Sequence, residues 1–123
     1  MILLDTHAVL WLDAGRKQAK PLDRHLGDLC VSPVSILEIQ MLVEPGEVRL
    51  AQRSSAASFL DDERWVVDEP PAEAWFVEAA LHAWTRDPFD RLLVAHAKVR
   101  GCRLATADEL LLAHLGPRHA LEL

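Results

Sequence analysis

The sequence predicts an α/β fold in which a central, mainly parallel sheet is covered by helices on both faces. Two observations predict it. Short apolar runs alternate along the chain with stretches whose apolar residues recur at helical spacing, the pattern of strand–helix–strand units. Several helical stretches also begin directly after such a run, and right-handed crossovers place these strand-to-helix junctions along one edge of the sheet.

The first run, Ile2–Leu4, ends abruptly at Asp5 and reads as a buried strand. Thr6–Asp13 follows as a short helix carrying Val9, Leu10, Trp11 and Leu12, stopped by Gly15. Residues 16–28 are polar around Pro21 and read as loop with a helical turn or two. Leu29–Val31 is the second strand. Ser32 then caps a helix with Pro33 in its first turn, which runs to Val43 and breaks at Glu44-Pro45-Gly46. Val48–Leu60 is expected to be helical, although loosely patterned and interrupted by Ser54, Ser55 and Ser58. Trp65–Val67 is a third strand, and the turn at Asp68–Pro71 leads into a helix over Ala72–Trp84. Asp87-Pro88 opens the most apolar helix, Phe89–Val99, closed by Gly101 and expected to be central and buried. Strand Cys102–Ala105, helix Thr106–His114 and an edge strand within His119–Leu123 complete the series. Nothing in the sequence repeats or reads as a linker, so residues 1–123 are expected to form one domain.

With 50% hydrophobic and 26% charged residues, the composition is that of an ordinary soluble domain. No apolar run approaches the ~18–20 residues needed to span a bilayer, and the N-terminus lacks the pattern of a signal peptide. A cytoplasmic protein with no membrane association is therefore expected. Cys30 and Cys102 fall within predicted strands without a CxxC, and read as buried reduced thiols. The net charge of −6 argues against a generic nucleic-acid binder, but basic residues group locally at Arg16, Lys17 and Lys20, and again at Arg86, Arg91, Lys98, Arg100 and Arg103.

Four acids carry the chemistry: Asp5, Glu38, Asp90 and Asp108. Each has a structural explanation when taken singly. Asp5 suits a helix cap, Glu38 stands three residues after Ser35 as in a capping box, Asp90 follows the Asp87-Pro88 cap, and Asp108 sits in a first helical turn. Taken together they all fall at or just after the carboxyl end of a predicted strand, where open α/β sheets hold ligands. Carboxylates gathered within ~5–8 Å repel one another by more than a cap of ~1 kcal/mol offsets, and a bound cation turns that repulsion into affinity. Oxygen donors alone suit a hard ion, Mg²⁺ or Mn²⁺, and Mg²⁺ favours phosphate oxygens among its remaining ligands.

Other chemistries find less support. His7 stands beside the acids, but the six histidines include no HExxH and no ligand spacing for zinc. GxGxxG, GxxxxGK[ST] and GxSxG are all absent. A phospho-acceptor signalling domain needs a lysine at a late strand end, where Ala105-Thr106-Ala107-Asp108 has none, and Asp5-Thr6-His7 lacks the second aspartate of a DxDxT phosphatase.

Four stretches, Leu4-Asp-Thr-His7, Ser32-Pro-Val-Ser-Ile-Leu-Glu38, Arg86-Asp-Pro-Phe-Asp-Arg-Leu-Leu-Val-Ala-His-Ala97 and Ala105-Thr-Ala-Asp108, resemble the PIN-domain ribonucleases, and within them the VapC-type toxins of bacterial toxin–antitoxin pairs. The resemblance spans nearly the whole chain, and the third stretch is its most distinctive part. It implies a three-layer α/β/α sandwich, a Mg²⁺- or Mn²⁺-dependent endoribonuclease acting on RNA, a homodimer, and a cognate antitoxin that blocks the active site. By position, Asp5, Glu38 and Asp90 resemble the acidic triad and Asp108 the fourth acid. Asp87 matches an additional aspartate or serves as the helix cap, while Thr6 and Thr106 match hydroxyls that flank the acids. The implied reaction is in-line hydrolysis, with Thr6, Arg86 and Arg91 as the residues expected to meet the substrate. Three departures stand out: Thr85 where histidine is common, Met41 and Leu42 where a lysine is common, and a tail after His114 without the usual aromatic-glycine signal. The alternative is a catalytically silent module of the same architecture that acts through partner binding.

Overall fold

Five parallel strands form a single sheet in the order β3-β2-β1-β4-β5. The computed structural model describes residues 1–50 and 52–123. The strands are β1 (Ile2–Leu4), β2 (Leu29–Val31), β3 (Val66–Val67), β4 (Arg103–Thr106) and β5 (Ala120–Glu122), and the helices are α1 (Thr6–Asp13), α2 (Pro33–Val43), α3 (Ala72–Ala80), α4 (Pro88–Arg100) and α5 (Glu109–Leu115). β1 occupies the centre, paired on one side with β2 and on the other with β4, Leu3 opposite both Cys30 and Leu104. All three of its residues are buried, which is why they form an unbroken apolar run rather than an alternating one. The sheet is wholly parallel among the described residues, and the tail supplies β5 although the family's usual signal there is missing.

The strand alternation sends side chains to two cores. Ile2, Leu4, Val31 and Ala105 pack with Val9 of α1, Ile39 of α2, and Leu22 and Phe59 from two 3₁₀ segments, Lys17–His25 and Ala56–Leu60. Leu3, Cys30 and Leu104 face the other way, against Trp75 of α3, Leu93 and Val94 of α4 and Leu111 of α5. These are the three layers of the expected α/β/α sandwich. α4 is as buried as its composition predicts, with Leu93 through Ala97 enclosed, and Gly101 ends it with a φ of 64°, a conformation that glycine adopts without strain. Both cysteines are buried and unpaired, and burial pushes the Cys30 thiol up to about 12, so it remains protonated.

Three predicted helices are shorter than expected. The one expected over Thr106–His114 starts only at Glu109, because Thr106 ends β4 and Asp108 is the cap. Within Val48–Leu60 only Ala56–Leu60 is helical, as a 3₁₀ segment, and Ala51 lies outside the described residues. Here Ser58 Oγ turns back to the carbonyl of Ser55 at 2.6 Å, local bonding that competes with an α-helix. Arg53 meanwhile joins Asp13 and Asp62, and its guanidinium lies over the Phe59 ring. The helix over Ala72–Trp84 stops at Ala80 because the side chains beyond it turn inward: His82 meets Glu78 at 3.3 Å and receives the Trp84 indole N–H at 3.2 Å.

Polar contacts from His96 and Arg100 to Asp68 tie the end of the outer strand to the central helix. His96, fully buried on α4, lies 2.7 Å from Asp68 through Nε2, while its Nδ1 has no partner. Burial lowers the pKa of His96, so the ring is neutral and donates from Nε2. Burial on its own raises that of Asp68, but hydrogen bonds from Arg100 and His96 bring it below the usual carboxylate value. Asp68→Ala leaves the imidazole N–H buried and unpaired, and is expected to cost about 1–3 kcal/mol. Urea unfolding measures this, and an unchanged midpoint would show that the contact contributes nothing.

Candidate active site

The structure brings Asp5, Glu38, Asp87, Asp90 and Asp108 onto one cleft of about 370 Å³, at the carboxyl end of the strands. Three chain turns build it. Asp5 follows β1 and caps α1, its Oδ1 accepting the Ala8 amide at 2.7 Å. Asp108 follows β4 and caps α5, accepting from Leu110 and Leu111 at 2.9 and 3.0 Å. Asp87 caps α4, accepting from Phe89 and Asp90 at 2.8 and 3.2 Å. All three caps use Oδ1 alone, so the second carboxylate oxygen of each lies outside the cap. Capping and ligand binding are therefore not competing readings: a helix N-terminus favours the carboxylate's charge and also fixes its position. Asp90 stands one turn into α4. Glu38 reaches the cleft from the middle of α2; the helix is capped by Ser32 rather than Ser35, so no capping box forms around Glu38.

A second row of polar groups holds the acids. The Thr6 hydroxyl donates to Glu38 and lies 3.1 Å from Ser35 Oγ, all within the buried angle between α1 and α2. Thr6 lines the cleft but its hydroxyl is committed to Glu38, so it orients an acid rather than presenting a free group to substrate. Thr106 stands behind Asp5 in the same manner, a hydrogen-bond partner that partly opposes the effect of burial on that carboxyl. Ser35 is a supporting residue whose role was hidden by its place in an apparent cap.

The electrostatics follow from this crowding. Burial raises the pKa of Asp5, which is only 7% exposed. Burial also raises Glu38, with Asp87 and Asp5 adding to it against the Thr6 hydrogen bond. Asp90 is pushed up to about 7, first by burial and then by Asp87, Asp108, Glu38 and Asp5 together. All four neighbouring acids act on this one carboxyl, so the convergence is energetic as well as spatial.

Neither predicted arginine lines the cleft. Arg91 donates from Nε to the carbonyl of Thr85 at 2.8 Å, fastening the loop ahead of α4, and Arg86 is exposed on that loop. The cleft instead has an aromatic wall, made by His7, which the sequence already placed beside the acids, and by Trp11, which it did not. Trp11 lines it with His7, their ring centroids 5.9 Å apart. The signal was the i, i+4 spacing on α1, which puts both rings on one helix face.

The donor set fits a hard divalent cation: five carboxylates, and neither lysine nor arginine among the lining residues. Among the described residues no three carboxylates, imidazoles or thiolates close into a ready-made cage. Such an open arrangement suits Mg²⁺, which keeps several waters and takes few protein ligands.

Comparison with known proteins supports the same reading of the fold. The family model for the PIN domain matches residues 2–115. The chain belongs to the PIN-domain family. It is 31% identical to Ribonuclease VapC22 of Mycobacterium tuberculosis (strain ATCC 25618 / H37Rv) over 122 residues, covering 95% of this chain and 94% of that one. Among solved structures, this PIN domain resembles a toxin–antitoxin complex from Klebsiella pneumoniae with a TM-score of 0.69 at 15% identity, covering 100% of both chains. It also resembles PAE2754 from Pyrobaculum aerophilum, with a TM-score of 0.65 at 22% identity over 98% of this chain and 87% of that one.

The raised Asp90 has a measurable consequence. With its pKa at about 7 in the folded PIN domain against 3.8 for the free side chain, the folded state binds a proton that the unfolded chain releases. Metal-free stability therefore falls as pH rises between those two values. Asp90→Asn is expected to raise the melting temperature of the metal-free protein by at least a few degrees at about pH 8, by clearly less at about pH 5, and hardly at all near pH 3. Calorimetry at these pH values checks this, and a variant destabilised equally at all of them would contradict it.

Proposed function

We propose that this PIN-domain protein is an endoribonuclease that hydrolyses RNA phosphodiester bonds with Mg²⁺ or Mn²⁺ held by Asp5, Glu38, Asp90 and Asp108. We further propose that it acts in the cytoplasm as the toxin of a type II toxin–antitoxin system. The observation that carries the reading is the convergence of Asp5, Glu38, Asp87, Asp90 and Asp108 on one cleft that neither lysine nor arginine lines. Likeness to Ribonuclease VapC22 supports RNA as the substrate, and likeness to a toxin–antitoxin complex supports an antitoxin partner.

The ion, when bound, supplies positive charge that lowers the pKa of water and offsets the negative charge developing on the scissile phosphate. The chain's own residues set the stage for it. Asp5 and Asp108 are fixed by the helices they cap, and Thr6 holds Glu38 in a single direction. Leu93 and Leu111 give the cleft an apolar side that limits water. His7 and Trp11 offer ring faces to a base next to the cut.

Two apolar surfaces suit the proposed partners. Leu37 and Met41, exposed on either side of Glu38 along α2, suit an apolar segment of the proposed antitoxin. Phe76, Val77 and Leu81, exposed on α3 and at its end, suit the proposed homodimer. Among the described residues no helix is long and apolar enough to cross a membrane.

Asp5→Asn tests the reading cleanly, because asparagine keeps the oxygen that accepts the Ala8 amide while removing the charge. Cleavage of a structured RNA pool in Mg²⁺ is expected to fall by more than roughly 100-fold, beyond the loss typical of an outer-shell partner, with the circular dichroism spectrum unchanged. Chelator is expected to abolish the activity of the unmodified protein. Undiminished cleavage in either case rules out the assignment.

A further inference from the structure

We propose that a second cleft, formed by Lys20, Arg24, His25 and Arg103 at the opposite end of the sheet, holds the phosphate backbone of the RNA away from the cut. This rests on the nuclease reading and names where the substrate finds its countercharge. The catalytic cleft provides little of it, for its lining carries five carboxylates and its cationic candidates, Arg86 and Arg91, lie elsewhere. A polyanion approaching a chain of net charge −6 needs a basic region to bind at all.

The second cleft has the opposite character. It encloses about 550 Å³ between Lys20, Pro21, Arg24, His25, Arg103 and Leu121, with no carboxylate in its lining. Its location follows from topology. Arg103 is the first residue of β4, and the 3₁₀ segment Lys17–His25 leads to the amino end of β2, whereas Asp5 and Asp108 follow the carboxyl ends of β1 and β4. Its side chains are also available. Arg53, Arg64 and Arg100 are locked to Asp13, Asp62 and Asp68, but among the described residues Lys20, Arg24 and Arg103 meet no carboxylate. Lys20 and Arg24 are exposed and Arg103 half-buried, which fixes the base of the cleft and leaves its rim adaptable.

A route joins the two clefts. His7 and Trp11 line the acidic cleft and also an adjoining one of about 420 Å³ that carries Arg16 and Arg49 together with Glu47 and Asp13, the last already neutralised by Arg53 and Arg64. From Arg16 the 3₁₀ segment carries Lys17, Lys20 and Arg24, all exposed, with Asp23 the one acid among them. A strand cut at the acids can thus follow the aromatic pair onto a basic path. The longer the RNA, the more of this path it occupies.

The test uses Asp5→Asn as an uncleavable background and compares a tetranucleotide with a long RNA, with and without Lys20→Glu and Arg24→Glu together. The double reversal is expected to weaken the long RNA roughly tenfold near 0.1 M salt and to flatten its salt dependence by more than one unit of log–log slope. The tetranucleotide, which ends before the second cleft, is expected to bind both forms alike. Lys98→Glu, an exposed charge on α4, is the control for net charge and is expected to change the long-RNA affinity less than twofold. Unchanged affinity for long RNA in the double reversal overturns the proposal. So does an effect confined to an acidic peptide, with RNA binding intact, which assigns the cleft to a protein partner. Cleavage of the tetranucleotide by the unmodified protein reports separately on the nuclease reading, so either idea can fail without the other.

Discussion

The repulsion among five carboxylates gathered at one end of the sheet is the constraint on which this structure turns. It arises from connectivity. In a parallel sheet every strand delivers its carboxyl end to the same edge, so acids placed just after β1 and β4 meet there even though more than a hundred residues separate them. Asp90 records the result: burial and four like-charged neighbours hold its carboxyl near pH 7. A fold without a ligand gains nothing from such an arrangement. Capping an α-helix contributes about 1 kcal/mol, and a serine or asparagine would do so without adding to the charge.

The capping geometry explains how the fold tolerates and uses these acids. Asp5, Asp87 and Asp108 each commit one oxygen to a helix N-terminus and keep the other outside the cap. Each carboxylate is thereby set on a rigid element instead of a flexible loop. The partial positive charge of the helix terminus also steadies it. Glu38 has no such terminus and is held by Thr6, with Ser35 behind. The acidic cleft itself is lined by neither lysine nor arginine.

Much of this was legible in the sequence. Ile2–Leu4 announced itself as a central strand because three consecutive apolar residues satisfy a position buried on both faces, and Gly101 marked the end of α4 through a backbone conformation few other residues accept. Asp5, Glu38 and Asp108 were legible because each stands at a strand-to-helix junction or in the helix that follows one; Asp90 does not, since α4 follows α3 rather than a strand, and it was legible through the motif Arg86–Ala97 instead. What remained hidden depended on contacts across the fold. Ser54, Ser55 and Ser58 made a helix over Val48–Leu60 doubtful, but only the Arg53–Asp13–Asp62 network and the Ser58–Ser55 bond show what replaces it. The stop of α3 at Ala80 was invisible because it follows from ring contacts among Glu78, His82 and Trp84. Arg86 and Arg91 looked like substrate contacts from their distance along the chain to Asp90, yet helical rotation and the bond to Thr85 carry Arg91 away from the cleft.

The most direct test of the central claim is the titration of the carboxyl carbons of Asp5, Glu38 and Asp90 by NMR, with and without Mg²⁺. The account predicts that Asp90 titrates near 7 in the metal-free protein and moves well below that value as Mg²⁺ saturates the site, with Asp5 and Glu38 shifting in the same direction. An Asp90 midpoint in the ordinary aspartate range, indifferent to Mg²⁺, would contradict it.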